Sequence, residues 1–491
     1  MSDNPVPNED LASPLSKESL NPGSGTDGIG SAFSGLKENR SCVSKKIYSV
    51  GTLQYTARSL MVLFVWMLWG DFCFVLFESL FSGFMPLYMK QLHAPDTLIS
   101  ALTASAGGVV TLMFLPHLSM WSDRYRSRWG RRIPFLLWAA PCTVATMCLI
   151  GFVPEIANWI SARIPLPSFI SQTTFILTFL SIFTLAFHFF NMILWNVFTF
   201  LQRDVIPLET MPWALSCFRF VGTIGSLLFN WLIFPHMLDH RKEVCIGVGV
   251  LYAAAYLMMC LKVKEGEYPP SPPAKRSNLM ETYMGYFKTC LSVRLYRIYF
   301  IVFMVSVIGN TGTKYFVTLF YQEQMKMSLQ EIATLLNWST GLSLAVLMLA
   351  GYLCRKFSPV RVFLGTMVCQ IVIYFLSYFL VVDKPTVLIF TLLNIVPIVI
   401  SQIAFNSTNM ILFPKERFGQ FSSGLNVFAM GCTIVASLMV GRLMDFSGHN
   451  YRLHYIMSGI GYLLALGPMI LVYRGWLNHG GDQNYVPPEA D

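Results

Sequence analysis

The chain reads as an all-α membrane protein of twelve transmembrane helices arranged as two pseudo-symmetric six-helix bundles. Three observations carry that reading. Of the 491 residues, 54% are hydrophobic and only 12% are charged, well outside the range of a soluble domain. Apolar runs of about 18 residues or more recur along the chain, each long enough to cross a hydrocarbon core. The longest break between runs divides them six and six, and short sequence echoes fall at equivalent places on either side.

In order, residues 1–50 are rich in Ser, Asn, Gly and Pro, and they predict a disordered cytoplasmic tail. This stretch lacks the basic start and short apolar core of a signal peptide. The apolar runs then predict helices at 59–88, 97–121, 134–153, 171–201, 212–235 and 244–263. After the break they continue at 295–321, 329–354, 360–381, 386–412, 419–443 and 454–474. The predicted bundles are therefore 51–263 and 295–476, joined by a cytoplasmic linker at 264–294 and followed by a cytoplasmic tail at 477–491. The linker carries Pro269-Pro270-Ser271-Pro272-Pro273, a composition that makes an extended spacer rather than a domain.

Basic residues set the orientation. Connections predicted outside hold few: Lys90, Arg163, Arg241, Lys242, Lys326, Lys384 and Arg452. Lys45, Lys46 and Arg58 precede the first span, and the inside connections hold many more, Lys262, Lys264, Arg355 and Lys356 among them. Lys/Arg-rich loops resist translocation, so both termini are placed in the cytoplasm of a multi-pass cell (inner or plasma) membrane protein. The halves echo each other: Tyr88, Ile99 and Leu102 parallel Tyr321, Ile332 and Leu335, and Ile206-Pro207 parallels Phe413-Pro414.

The formal charge of +9 fits basic loops at a bilayer and gives no case for nucleic acid. Cysteines are scattered through apolar runs without ligand spacing, so neither metal nor disulfide is expected. No nucleophile elbow, phosphate loop or metal cluster supports an enzyme, and no soluble domain is present to serve a membrane sensor.

The most informative stretch is the loop between the second and third runs. Residues 117–134 hold Asp123 followed by Arg124, Arg126, Arg128, Arg131 and Arg132, with Gly130 and Pro134 at fixed offsets. This spacing resembles the signature loop of the major facilitator superfamily. More narrowly, Ser122-Asp123-Arg124-x-x-Ser127-Arg128-Trp129-Gly130-Arg131-Arg132-x-Pro134 resembles the sucrose carriers and the sugar–cation symporters related to the melibiose carrier. The resemblance implies the major facilitator fold and a monomeric secondary transporter working by alternating access, with a small-molecule substrate, a sugar or glycoside. It also implies a cytoplasmic gate at Asp123, Arg124, Arg128, Gly130, Arg131 and Arg132 that ties the second, third and eleventh helices together. The second-half counterpart around Gly351 and Arg355-Lys356 is degenerate.

Ionisable groups at membrane depth are expensive, so each is a candidate. In the first helix Asp71 and Glu78 stand seven residues apart, on one face, which suits proton carriage in a shared cavity, with Asp71 favoured. Gly70-Asp71-Phe72 also resembles the Asp-Phe pair of the melibiose carriers, where the acid contacts sugar. In the fourth helix His188, Asn191 and Trp195 form a helical stripe with Asn196 beside it. Aligned with the plant sucrose carriers, His188 replaces a buried coupling acid, and it reads equally as a coupling group or a structural histidine. Asn310 and Lys314 lie on the seventh helix, where Lys314 either pairs with Glu78 or Asp71 or snorkels outwards. Gln402, Asn406 and Asn409 keep helical spacing on the tenth; such amides, with Trp195 and Trp338, suit a sugar, or else simply join helices. Arg219 on the fifth helix either closes the inner gate against Glu209 or Asp204, or snorkels.

The paired acids that sodium-coupled melibiose carriers place on the second helix are absent, so the coupling ion expected is a proton, with no other cofactor. A sodium-coupled sugar symporter, or a lipid or drug carrier on the same fold, remains the alternative.

Overall fold

The computed structural model describes residues 48–163, 171–207, 210–266, 288, 290–414 and 417–488, with side-chain placement not described at 116, 120, 123, 212, 419 and 483. Twelve helices among these residues are long and apolar enough to span a membrane. They are α1 (Ala57–Gln91), α2 (Asp96–Ser100 continuing through a π turn, Ala101–Ser105, into Ala106–Arg124), α3 (Ile133–Gly151) and α4 (Gln172–Val205). Next come α5 (Met211–Leu228, ending in a π turn and a 3₁₀ turn to His236), α6 (Arg241–Lys262), α7 (Arg294–Leu319, then a π turn Phe320–Gln324) and α8 (Leu329–Phe357). The last are α9 (Pro359–Leu380), α10 (Lys384–Leu412), α11 (Phe418–Phe446) and α12 (Leu453–Asn478).

Local chemistry sets several of the starts. Thr56 and Ser171 each accept the backbone N–H three residues on, at 3.3 and 3.1 Å. Ser328 and Glu331 form a reciprocal capping box at α8. Pro359 opens α9, where its missing N–H has no helical partner to lose.

The pairing of helices repeats between halves. In the first half α1 packs on α5 and α6, α3 on α4 and α6, and α2 on α4; in the second α7 packs on α11 and α12, α9 on α10 and α12, and α8 on α10. The echoed residues agree with this, since Tyr88, Ile99, Leu102, Tyr321, Ile332 and Leu335 are all buried. Across the halves the contacts run α1–α7, α2–α11 and α5–α8. At the α7–α12 crossing the backbones touch, so a Cβ on Gly309 would meet the Cα of Gly461 at 2.6 Å, and Ser458 Oγ donates to the Gly309 carbonyl at 2.9 Å.

Three features depart from expectation. The predicted tail ends in structure: Tyr48–Val50 pairs antiparallel with Leu53–Tyr55 around Gly51, whose φ of +55° suits glycine in so tight a turn. A short helix, Val153–Ser161, lies between α3 and α4. Within α2, α5 and α7 the regular ladder is interrupted by π turns, which hydrophobic patterning does not reveal. The remainder of the tail and the proline run of the linker lie outside the described residues.

Candidate functional site

Between the two halves lies a cavity of about 1380 Å³. It is lined by Phe74 and Glu78 of α1, by one face of α2 that includes Gly107, Thr111 and His117, by His188, Asn191, Trp195, Asn196 and Phe200 of α4, by Lys314 of α7, and by Ser423, Asn426, Val427 and Met430 of α11. His117, Ser119, Phe200 and Ser423 carry it to the end of the molecule that bears the arginine loop.

Its polar centre joins three helices. Asn191 Nδ2 donates to Glu78 Oε2 at 3.0 Å, tying α4 to α1. The Asn191 Oδ1 beside it is buried and unpartnered, so this amide retains an acceptor for a bound molecule. His188 Nε2 donates to the Leu102 carbonyl at 2.7 Å; the carbonyl can only accept, which leaves Nδ1 as the nitrogen that gains or loses a proton. Leu102 sits in the π turn of α2, and Phe81 packs edge-on against the imidazole at 5.2 Å. Lys314 stands 5.1 Å from the Tyr315 ring centroid and acts electrostatically on Glu78 without a direct ion pair among the described residues. Trp195 is half exposed and lies 5.3 Å from Phe74, a flat apolar wall next to the polar groups. Asn196 lines the cavity while its amide donates to the Met192 carbonyl at 2.8 Å.

Other candidates go elsewhere. Asp71 does not share this cavity with Glu78. Seven residues advance a helix by about 10 Å, enough for α1 to change its neighbour. Asp71 is buried against α5, where a Cβ on Gly222 would stand 3.7 Å from its Oδ2, and Arg219 is the charge that acts on it. Asn310 accepts from Tyr374 at 3.5 Å, and Asn409 accepts from Tyr299 at 2.5 Å, so both join helices within the second half. Gln402, Asn406 and Trp338 are exposed and lie outside the cavity lining.

At the arginine-loop end, Asp204 accepts from Arg131 Nη2 at 2.8 Å and from Arg132 Nε at 3.2 Å. Arg132 also donates to Ser122 and lies over the Phe200 ring. Asp204 is thus a partner of the loop and not of Arg219; Glu209 lies outside the described residues.

Glu265, just past α6, accepts the backbone N–H groups of Arg131, Arg132 and Ile133 at 2.8, 2.8 and 2.7 Å, capping α3. Burial raises its carboxyl above the usual 4.5, against the lowering pull of those three bonds. Gly130 has φ of +106°, and a Cβ there would meet Glu265, so glycine is required twice over. The described contacts of Arg131 and Arg132 bind α2, α3, α4 and the end of α6. Arg124 and Arg128 are exposed, and the Asp123 side chain lies outside the described residues.

The opposite end is closed. Asp445, at the end of α11, accepts from Asp96 N at 2.6 Å, Thr97 N at 2.9 Å and Thr97 Oγ1 at 2.6 Å, capping α2 from the other half. Asp96 is fully buried and accepts from Tyr451 at 2.8 Å and Lys90 at 3.2 Å, with His449 Nδ1 at 2.6 Å. Deeper in, Ser105 and Ser437 share a hydrogen bond of 2.6 Å. The carboxylates of Asp96 and Asp445 and the His449 ring cluster as a metal site's ligands would, but these donors already occupy them.

Sequence reasoning missed Glu265, Asp96 and the α11 lining. Asp96, directly after Pro95 at a span's start, carried a recognisable helix-start signal; Glu265 carried none, because its partners lie more than a hundred residues away.

The amphipathic cavity, closed at one end and flanked by paired bundles, matches known transporters in architecture. A bacterial homologue of the human lysosomal transporter Spinster, inward-facing and unoccupied, superposes with a TM-score of 0.64 at 11% identity, covering 88% of this chain and 100% of that one. A bacterial homologue of the iron transporter ferroportin, also inward-facing, gives 0.61 at 14%, covering 84% and 98%. A D-xylose–proton symporter gives 0.55 at 15%, covering 84% and 96%. No curated protein sequence matches the chain. At these identities the likenesses speak for the fold. The family model described as Major Facilitator Superfamily matches residues 67–437, and the chain belongs to that superfamily.

Proposed function

We propose that this transporter is a proton-coupled sugar or glycoside symporter working by alternating access, with the arginine-loop end facing the cytoplasm. The observation that carries the reading is the Glu78–Asn191 pair in the central cavity, beside His188, Lys314 and the Trp195–Phe74 wall. Hydroxyl-rich substrates need acceptors and donors on one side and a flat apolar surface on the other, and this cavity offers both. A carboxyl group shared between an amide and the cavity can take a proton when a substrate hydroxyl arrives. When the Glu78 carboxylate takes a proton from solution and becomes neutral, with Lys314 acting on it electrostatically, the charge in the cavity changes by one unit. A ligand that binds one charge state and one orientation better than the other then shifts the balance between orientations. The closed far end, with the cavity reaching the arginine loop, is the inward-facing member of that pair.

A carrier of amphipathic lipid or drug is the second reading, favoured by the apolar cavity wall of Leu112, Met113 and Leu115.

Uptake of labelled disaccharides into proteoliposomes tests the proposal, with an inward proton gradient and no sodium. Accumulation that a protonophore collapses supports it. Uptake only with sodium replaces the coupling ion, and silence under both gradients sinks the sugar reading in favour of the amphipathic one.

A further inference from the structure

A second cavity, of about 520 Å³, opens at the end away from the arginine loop, where α7, α9 and the α11–α12 turn meet. Its walls are Gln324, Met325, Tyr378, Phe379, Asn450 and Arg452. Among the described residues the chain supplies a cation here and no anion paired with it. The Arg452 guanidinium donates to the Val381 carbonyl and stands 5.8 Å from the Tyr378 ring centroid, while its Nε is buried without a partner. It forms no ion pair among the described residues. Of the nearby acids, Asp383 caps α10 and Asp96 is held by Tyr451, Lys90 and His449, while Glu323, next to Gln324, forms no ion pair with Arg452 among the described residues.

A buried donor without an acceptor is costly, and a guanidinium's planar fork fits phosphate oxygens. Gln324 Nε2 donates to Asn450 Oδ1 at 3.1 Å, which orients the Asn450 amide nitrogen as a further donor. The other walls are apolar, with Phe379 68% exposed and set edge-on to Tyr378 at 5.2 Å. Tyr378 and Phe379 fill the last turn of α9, and Arg452 directly precedes α12, so the cavity lies where spans leave the membrane. Aromatic side chains favour that level, and lipid phosphates occupy it.

We propose that this pocket binds an anionic phosphate ester through Arg452 and Asn450, the chemistry that a lipid headgroup at this surface presents. The occupant would also steady the closed end. Arg452 N donates to Gln324 Oε1 at 2.9 Å, and the neighbouring Tyr451 and His449 hold Asp96.

The test is native mass spectrometry of the detergent-purified protein with phosphatidylglycerol, with phosphatidylcholine as the zwitterionic comparison. A parallel arm measures thermal stabilisation by inorganic phosphate. Wild type is expected to retain one phosphatidylglycerol that Arg452→Gln binds about tenfold or more weakly, the scale of one charge-assisted bond. Asn450→Asp, which leaves Arg452 and its contacts in place, is expected to lose the same adduct by repulsion, and it reads the site if Arg452→Gln does not fold. Stabilisation by phosphate that both variants abolish, with no lipid difference, would support the site with a soluble ester as its source. Equal lipid retention and equal phosphate response in wild type and Asn450→Asp would overturn the proposal.

Discussion

Glu78 and Asn191 carry the account at the residue scale, because they meet across α1 and α4 inside the cavity while Asp71 does not. Glu78→Gln is expected to abolish gradient-driven uptake yet spare exchange at equal proton concentrations. Asp71→Asn is expected to lower driven uptake less, its main effect falling on the packing of α1 against α5. Equal losses in a side-by-side transport assay would return Asp71 to the coupling site. Both acids were legible in the sequence as costly groups at membrane depth. Their separation was not, since two residues on one helical face look equivalent until neighbouring helices are placed. Gly130 belongs to the same scale. Gly130→Ala forces a side chain into left-handed backbone and onto Glu265, for a cost of roughly 1–2 kcal/mol or more, read as a lowered unfolding temperature.

Between elements, two carboxylates do comparable work at opposite ends. Glu265 caps α3 within the first half, and Asp445 caps α2 from the second. The folded chain holds the Glu265 proton more tightly than the unfolded chain does. Its contribution therefore favours the folded state below the usual 4.5 and is lost as pH climbs through the raised value. Thermal unfolding of Glu265→Gln across that window is expected to lack this decline, and an unchanged pH profile would remove Glu265 as its source. Asp445 acts on orientation instead. Opening the far end must part α2 from α11, so Asp445→Ala removes three accepted bonds from the closed state alone. A cysteine placed at Ser105, which meets Ser437 across that seam, is expected to react faster with a membrane-impermeant thiol reagent added on that side; an unchanged rate would deny the cap a gating role. The helices that carry these caps were readable from hydropathy to within a few residues. The caps were not, because each acid lies far in sequence from the donors it serves.

The whole molecule repeats one packing pattern twice, and that symmetry was faintly written in paired residues such as Tyr88 and Tyr321. The loop at 117–134 identified the superfamily because its Gly and Arg offsets answer to geometry: Gly130 to the Glu265 cap, Arg131 and Arg132 to Asp204. The tenth-helix amides misled, since exposure and cavity lining depend on how the helices turn and not on their polarity. The central claim is that substrate and proton meet at Glu78 in one cavity. The most direct measurement is the external alkalinisation that follows addition of substrate to proteoliposomes loaded with the purified protein. Wild type should take up protons as substrate enters, and Glu78→Gln should move substrate under exchange without any pH change. Substrate-dependent proton uptake that survives in Glu78→Gln would contradict the account.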